Sequence, residues 1–362
     1  MRIKPIAAAA LVTATALAFA GCATNETPAS GSTNASSGQS QTLTGVGSSA
    51  QKAAQEKWVA EFQTKNPNIT VNYSPDGSGA GRSAFTAGAA GFAGSDRPFK
   101  DEEMGAGKFA GCTADSNALN LPVYISPIAV IFNVDGVKDL TLDPNTLASI
   151  FAGKITKWND PAIAKTNPKA SLPDAAITAV HRADDSGTTN NFTDTLNKTA
   201  PTVWTQPAAD TFPAAFGGEA ANGTSGVVQA VSTGQNTIGY ADESAAGSLG
   251  KASLLINGKA LQPTAASGTA ILDHSKTIAG RDANDLAYTL DRNVDGVYPA
   301  VLVSYAIVCQ TYKDSSVAQL VKSYVGYIAS ADGQSAAASA AGSAPLSAAL
   351  QAKVKTAVDS IK

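Results

Sequence analysis

Three short stretches of this chain repeat one local pattern: the end of a strand, then small residues with hydroxyl groups, then the start of a helix. They are GVGSSAQ (45–51), DGSGAGR (76–82) and RADDSGTT (182–189). The first turn of a helix carries unpaired backbone N–H groups and a partial positive charge, and glycine lets a ligand approach the main chain. Each stretch alone is compatible with a plain helix cap, but three together favour convergence on one anion.

Strand-like and helix-like segments alternate through the rest of the chain. LPVYISPIAVIFNV (121–134) is apolar and long enough for one or two buried strands, and VLVSYAIVCQ (301–310) predicts another. Between them, Asp143 as N-cap and Pro144 at the first helical position predict the start of a helix. This alternation indicates an α/β fold with mainly parallel sheets, and about 320 residues after the N-terminal region suit two lobes.

The N-terminal residues predict export. Arg2 and Lys4 precede a short apolar stretch, and residues 1–21 as a whole have the pattern of a signal peptide. The segment ends in Phe-Ala-Gly followed by Cys22, which resembles the lipobox of bacterial lipoproteins and implies diacylation of the Cys22 thiol; the alternative is ordinary secretory cleavage with Cys22 incidental. Residues 22–41 hold nothing apolar larger than alanine and predict a flexible linker. Together these features predict a soluble body anchored by lipid to the outer face of a membrane.

The charge and the remaining cysteines exclude several classes of function. The formal charge of the chain is −3, and losing Arg2 and Lys4 makes it −5. No basic run is present, so we expect no nucleic-acid partner. Two scattered histidines and three cysteines provide no metal-ligand spacing, and we expect no metal or cofactor. Cys112 and Cys309 make one possible disulfide, whose formation the sequence leaves open.

The order of several motifs gives a more specific indication. GxGSS, GSGAG, GSD and RADDSGT occur in this order, together with ASIFAGKITKWNDPAI (148–163) and IGYAD (238–242). This ordered set resembles the phosphate-binding lipoproteins of bacterial phosphate ABC transporters, from about residue 43 to about residue 350. The resemblance implies a monomeric, non-enzymatic protein that captures inorganic phosphate and delivers it to permease subunits in the membrane.

The resemblance also implies a fold and its boundaries. We expect the two-lobed periplasmic-binding-protein fold of type II, with the ligand in a cleft between lobes that are joined by two crossings of the chain. The first lobe would combine residues 42–124 with residues 275–362, and the second would be residues 125–274. A ligand between lobes would lie at the carboxyl ends of strands, where open α/β sheets bind ligands.

Carried over position by position, the resemblance implies a set of phosphate contacts drawn from all three turns. The predicted phosphate-binding residues are Ser49, Ala50, Ser78, Asp96, Arg182, Ser186, Gly187 and Thr188, with Asp184 orienting Arg182. Relatives often have a bulkier residue at the place of Ala50 and glycine at the place of Asp185. The carboxylate of Asp185 would therefore have to point away from the anion.

A carboxylate in an anion site has a physical use. Asp96 repels a bare oxyanion but accepts a hydrogen bond from an anion that carries a proton. Phosphate near neutral pH keeps one or two protons and sulfate keeps none. An unpaired buried polar group can then discriminate on the order of 10⁴-fold. The simpler interpretation of Asp96 is a helix cap before Pro98.

Two other functions remain open at this point. One is the same scaffold tuned to sulfate or molybdate, which Asp96 disfavours. The other is a phosphatase or esterase with Ser186 as nucleophile, since His181, Asp184 and Ser186 contain the residue types of a triad; no GxSxG elbow surrounds Ser186. Two charged residues flank the second turn, Asp76 and Arg82; a role in tuning the mouth of the cleft is one interpretation, and solvated charges are the preferred one. Two tryptophans are predicted to pack in the core rather than to contact ligand: Trp58 and Trp158.

Overall fold

The computed structural model describes residues 40–362. The described helices are α1 (Lys52–Lys65), α2 (Ser78–Thr86), α3 (Pro144–Phe151), α4 (Pro161–Thr166), α5 (Gly187–Thr199), α6 (Gly223–Thr233), α7 (Ala265–His274), α8 (Ser315–Ala329), α9 (Ala331–Ala341) and α10 (Ala348–Asp359). The described strands are β1 (Gln41–Gly47), β2 (Ile69–Ser74), β3 (Phe92–Ser95), β4 (Ala118–Asn133), β5 (Thr141–Leu142), β6 (Thr178–Arg182), β7 (Glu219–Ala221), β8 (Thr237–Asp242), β9 (Gly250–Lys251), β10 (Ser253–Ile256), β11 (Lys259–Leu261), β12 (Lys276–Thr277), β13 (Tyr288–Thr289) and β14 (Val301–Cys309).

The main sheet of residues 40–362 has nine strands in the order β2-β1-β3-β14-β4-β8-β6-β7, with β9 also paired to β4. Two groups of parallel strands flank its centre. We call β1, β2 and β3, with the segments between them and the turn after β3, the first wing, and β6, β7 and β8, with the segments between them, the second wing. The centre is antiparallel, since β14 runs against both β3 and β4, and β4 runs against β8. The prediction of mainly parallel pairing is therefore right for the wings and wrong for the centre.

The antiparallel centre comes from one very long strand. The apolar run that predicted one or two strands forms β4 alone, which is 16 residues long and buried over nearly its whole length. Its first part, from Ala118 to Pro127, pairs with β14, and its second part, from Ile128 to Asn133, pairs with β8. A single strand thus joins the two wings, and β14 runs beside its first part in the opposite direction.

One irregularity interrupts the pairing of β4 with β14. Ser304 faces Tyr124 and Tyr305 faces Pro122, so Val123 is an extra residue in β4, which defines a bulge. Pro122 has no N–H to contribute to the ladder, which favours an irregularity at this point of a central strand. The side chain of Gln334 satisfies the carbonyl oxygen of Val123 at 2.8 Å.

Local signals in the sequence account for several elements. Asp143 accepts hydrogen bonds from the N–H groups of Asn145 and Thr146, both at 3.0 Å, and Pro144 occupies the first position of α3, as predicted. Both predicted core tryptophans, Trp58 and Trp158, are fully buried.

Two further outcomes concern the cysteines and the N-terminus. The structure joins Cys112 and Cys309 in a disulfide across 197 residues of sequence. β1 begins at Gln41, which is the last residue of the predicted linker. The predicted signal peptide, Cys22 and the rest of the linker up to residue 39 lie outside the described residues. None of the helices that residues 40–362 form has the length and apolar character needed to cross a bilayer.

Candidate phosphate site

Backbone hydrogen bonds hold the turns of the first wing against one another. After β1, the carbonyl oxygen of Gly47 accepts the N–H of Gly77 at 2.8 Å, and the N–H of Ser48 donates to the carbonyl oxygen of Gly94 in β3 at 2.9 Å. Ser78, the first residue of α2, accepts the N–H of Asp96 on its hydroxyl oxygen at 3.1 Å. Three turns that are distant in sequence therefore form one rigid edge.

Ser186 caps the start of α5 in the second wing. Its hydroxyl oxygen accepts the N–H of Thr189 at 3.1 Å, and its own N–H donates to the carbonyl oxygen of Asp210 at 2.9 Å. A helix supplies no internal acceptor for its first N–H groups, here those of Gly187 and Thr188. This geometry offers main-chain donors to an anion and leaves the Ser186 hydroxyl in a capping role.

The start of α5 packs directly on the first wing. The hydroxyl of Thr188 donates to Oδ2 of Asp96 at 2.9 Å, and both side chains are buried. A Cβ added at Gly187 would lie 2.7 Å from the Ser78 hydroxyl and 2.8 Å from Cβ of Asp96, so any residue larger than glycine would separate the two wings. Four predicted site residues thus meet across the gap between the wings: Ser78, Asp96, Gly187 and Thr188.

Arg182 forms a two-point ion pair with Asp184 at the end of β6. Its Nε donates to Oδ1 at 2.7 Å and its Nη2 donates to Oδ2. Burial by itself raises the pKa of Asp184, but the bonds and charge of Arg182 and the N–H of Gly223 outweigh it, and the net pKa is lowered. The Arg182 side chain is only 2% exposed, and its guanidinium cannot rotate freely, because the planar fork matches the carboxylate.

The Arg182 pair also lies beside the second turn. Gly77 has φ of 103°, and a Cβ there would lie 2.5 Å from Oδ2 of Asp184 and 3.6 Å from Nη2 of Arg182. Glycine is required at this position for both the backbone conformation and the close approach. The only guanidinium among the predicted site residues therefore faces the start of α2.

Ser49 and Ala50 behave differently from each other. The hydroxyl of Ser49 contacts the hydroxyl of Thr224 and accepts the N–H of Thr224, both at 3.0 Å, so it reaches the start of α6 in the second wing. The N–H of Ala50, predicted as a ligand donor, donates to the Ser48 hydroxyl at 3.1 Å. The Ser49 hydroxyl and the Ala50 N–H, both predicted as ligand contacts, therefore have protein partners here.

Sequence reasoning missed Thr224. The stretch Asn222-Gly223-Thr224 follows β7 and opens α6, so it is a fourth copy of the strand–turn–helix pattern. The preceding strand is Glu-Ala-Ala and only three residues long, and so it lacks the apolar run that marked the other three. A search for Gly-Thr or Gly-Ser before an amphipathic helix would have found it.

A network of charges beside the site was also missed, and the interpretation of Arg82 as solvated is wrong. Arg82 is buried and donates to Asp185 at 3.0 Å, to Asp210 at 3.1 Å and to the Ser95 hydroxyl at 2.9 Å. Burial lowers the pKa of Arg82. The Asp185 carboxylate thus pairs with Arg82, and half of it is exposed. Asp76 is exposed, as predicted.

Arg97 completes this network. It binds Asp210 through Nε and Nη2 at 2.8 and 2.6 Å, and its other face binds Glu103 at 2.6 and 2.9 Å. Burial alone raises the pKa of Glu103, but the bonds from Arg97 and the N–H of Lys100 bring it to about 2. Arg82 and Arg97 belong to the first wing and Asp210 to the second, so two buried guanidinium groups share one carboxylate across the gap.

The arrangement does not assemble a hydrolytic triad. The ring of His181 stacks on Phe212 with centroids 4.3 Å apart, and its Nδ1 faces the carbonyl oxygen of Arg182 at 3.0 Å. Ser186 serves as a helix cap. Within residues 40–362, no group of three or more histidine, cysteine or acidic side chains is placed to hold a metal ion. What converges is a set of neutral donors, one guanidinium and one carboxylate.

Comparisons with known proteins show what this chain is similar to. The family model of the PBP superfamily domain matches residues 32–332. The phosphate-binding protein PstS 3 of Mycobacterium leprae (strain TN) is 37% identical over 344 residues, which cover 90% of each chain. Its counterpart in Mycobacterium tuberculosis (strain ATCC 25618 / H37Rv) is 36% identical over 337 residues, or 88% of this chain and 89% of the relative.

Solved structures share the fold. A high-affinity periplasmic phosphate-binding protein bound with phosphate superposes with a TM-score of 0.71 at 23% identity, covering 87% of this chain and 93% of the other. A phosphate ABC transporter substrate-binding protein from Clostridium perfringens gives 0.59 at 22% identity, covering 83% and 98%. The two-lobed periplasmic-binding-protein fold is therefore the fold of this chain, and the chain belongs to the PstS phosphate-binding proteins of the PBP superfamily.

Proposed function

We propose that this protein binds inorganic phosphate outside the membrane and delivers it to an ABC permease for import, without chemical change to the ligand. The observation that carries the proposal is the meeting of Asp96 with Ser78, Gly187 and Thr188 across the gap between the wings. Neutral donors and one guanidinium suit an oxyanion, and Asp96 suits one that carries a proton. The names of the relatives support the same ligand.

We propose that the remaining predicted residues act in the same site. Arg182, held by Asp184, would supply the charged contact. Ser49, which bonds to Thr224 at the start of α6, Ala50 and the α5 cap Ser186 would contribute from the other helix starts. With the lobe boundaries proposed from the sequence, residues 42–124 with 275–362 and residues 125–274, donors from both lobes would surround one anion. Closure of the lobes would assemble the set.

Isothermal titration calorimetry with phosphate and with sulfate tests the ligand. We expect tight binding of phosphate and none of sulfate near neutral pH, because Asp96 would face unprotonated oxygens. Asp96→Asn should mainly erode this selectivity, since the amide can donate to sulfate. Equal affinity for both anions in the wild type, or no binding of either, would refute the proposal; equal affinity would favour the general-oxyanion alternative.

We further propose that Cys22 is diacylated and tethers the protein to the outer face of the cell membrane as a monomer. The lipobox-like Ala-Gly-Cys after an apolar stretch supports this. Cell fractionation tests it: Cys22→Ser should leave phosphate binding intact and move the protein from the membrane fraction to the soluble exported fraction. A variant that stays on the membrane would refute lipid anchoring through this residue.

A further inference from the structure

A chain of hydrogen bonds between buried side chains leads from helix α8 to the carboxylate of Asp96. The phenol of Tyr324 donates to Oε1 of Gln55 at 2.7 Å, and Nε2 of Gln55 donates to Oε1 of Gln51 at 2.8 Å. Nε2 of Gln51 then donates to the hydroxyl of Ser304 at 2.6 Å, and that hydroxyl donates to Oδ1 of Asp96 at 2.6 Å. We call Tyr324, Gln55, Gln51 and Ser304 the relay.

The relay is cut off from solvent. Tyr324, Gln51 and Ser304 have no exposed surface, and Gln55 and Asp96 are each 2% exposed. Water therefore cannot replace a missing partner, and each polar group depends on its neighbour in the relay. A buried polar group without its partner costs more free energy than a hydrogen bond contributes when formed.

The relay can run in only one of two directions. An amide has a carbonyl oxygen at one corner and an NH₂ group at the other, so reversing one glutamine forces the next to reverse. In the reversed direction the Ser304 hydroxyl would donate to Gln51, and a protonated Asp96 would have to donate to Ser304. The Nε2 atom of Gln51 also lies 3.5 Å from the carbonyl oxygen of Tyr305, which can only accept. This neighbour favours the direction in which the Ser304 hydroxyl donates to Asp96.

Both carboxylate oxygens of Asp96 then accept a hydrogen bond from a hydroxyl group. Oδ1 accepts a hydrogen bond from Ser304, and Oδ2 accepts one from Thr188. Hydrogen bonds to a carboxylate stabilise its charged form, and each oxygen keeps a further lone pair for a ligand. A carboxylate held in this way can accept a hydrogen bond from an anion but cannot donate one.

We infer that Ser304 and Gln51 are specificity-determining positioning residues that hold Asp96 as an obligate hydrogen-bond acceptor. The inference rests on the proposed function. Without the Ser304 hydroxyl, Oδ1 loses a hydrogen-bond partner, and the carboxylate is free to turn away from the position in which it faces the ligand. Asp96 then tolerates a fully deprotonated tetrahedral anion, and discrimination against sulfate falls.

Competition calorimetry tests this inference. The apparent phosphate affinity is measured with and without millimolar sulfate for the wild type, Ser304→Ala, Gln51→Met and Ser304→Thr. We expect no effect of sulfate on the wild type. For Ser304→Ala, sulfate affinity should rise relative to phosphate affinity by about tenfold or more, the ratio expected from one hydrogen bond to a charged group. Gln51→Met, one bond further away, should show a smaller change, and Ser304→Thr should restore the wild-type ratio.

A matched control separates this role from simple loss of packing. Thr195 is also buried, and its hydroxyl donates to the carbonyl oxygen of Asn191 within α5 at 2.8 Å, outside the relay. Thr195→Val should keep the wild-type ratio, with folding of all variants checked by thermal unfolding. The inference is overturned if folded Ser304→Ala rejects sulfate as the wild type does, or if Thr195→Val gains the same sensitivity. If Ser304→Ala does not fold, Gln51→Met decides in the same way. Wild-type protein that binds no phosphate would instead overturn the proposed function itself.

Discussion

Replacing Asp210 by asparagine should weaken phosphate binding, although Asp210 is not a predicted ligand. Its carboxylate accepts Arg82 at 3.1 Å and Arg97 at 2.8 and 2.6 Å, and its side chain is 12% exposed. The amide keeps the shape and one accepting oxygen but loses the charge. Two buried guanidinium groups would then share less negative charge than before.

The magnitude follows from what each arginine keeps. Removing one partner of a buried ion pair costs about 3–5 kcal/mol. Arg97 retains Glu103 and Arg82 retains Asp185, so we expect a cost near the lower limit, about 3 kcal/mol. The bonds that Asp210 makes to Arg82 and Arg97 all join the first wing to the second. Their loss therefore destabilises the closed state, in which the wings are in contact, and not the open state. When the ligand-free protein is mostly open, this cost lowers phosphate affinity about 100-fold.

Calorimetry with phosphate, supported by thermal unfolding with and without the ligand, measures this effect. Asp174→Asn is the matched control, because its 2.7 Å pair with Lys157 leaves both side chains more than half exposed. Surface pairs contribute about 0–1 kcal/mol, so the control should stay close to the wild type. If Asp210→Asn binds phosphate within about twofold of the wild type, the charge network does not stabilise closure and the reasoning is wrong.

Three further outcomes follow from the same geometry. Arg182→Ala should lower phosphate affinity at least about 100-fold by calorimetry, because it removes the charged contact and leaves the Asp184 carboxylate without its partner; wild-type affinity would show that the site is misplaced. Burial raises the pKa of Asp242 from an ordinary 3.8 to about 7. Between these two pH values the folded protein holds a proton that the unfolded chain releases. The free energy of unfolding should therefore fall by up to about 4 kcal/mol as pH rises from about 4 to about 7. Asp242→Asn should flatten that part of the stability profile in urea titrations, and an unchanged slope would assign the pH dependence to other groups. The double variant Cys112→Ser with Cys309→Ser should lose about 2–5 kcal/mol of unfolding free energy, whereas equal urea midpoints would mean that the disulfide does not stabilise the fold.

Local chemistry made part of this fold predictable. Asp143 followed by Pro144 marks a helix start wherever it stands, and the small hydroxyl residues after each strand mark helix N-termini. Whether the strands pair in a parallel or an antiparallel direction does not depend on local sequence. Alternating strands and helices usually indicate parallel sheets, but the long run that became β4 crosses between the wings, and β14 runs beside it in the opposite direction. No local stretch of sequence indicates whether two distant strands will pair in a parallel or an antiparallel direction.

The contacts of the candidate site also divide into those that local sequence could predict and those that it could not. Asp184 is two residues from Arg182, so its bond to the guanidinium was open to prediction. Thr224 meets Ser49 from 175 residues away, and Ser304 meets Asp96 from 208 residues away. Such partners depend on how the wings dock and on which strand lies beneath the site. Serine and threonine are too common for their identity alone to indicate these contacts.

The bulge in β4 has a mechanical consequence. A bulge leaves one residue outside the regular ladder of hydrogen bonds and increases the local bend and twist of the strand. The break lies at Ser304 and Tyr305. Ser304 is also the residue whose hydroxyl donates a hydrogen bond to Asp96. A change in the bulge would therefore move the hydroxyl that bonds to Asp96, so strand geometry and the acidic ligand contact meet at a single serine.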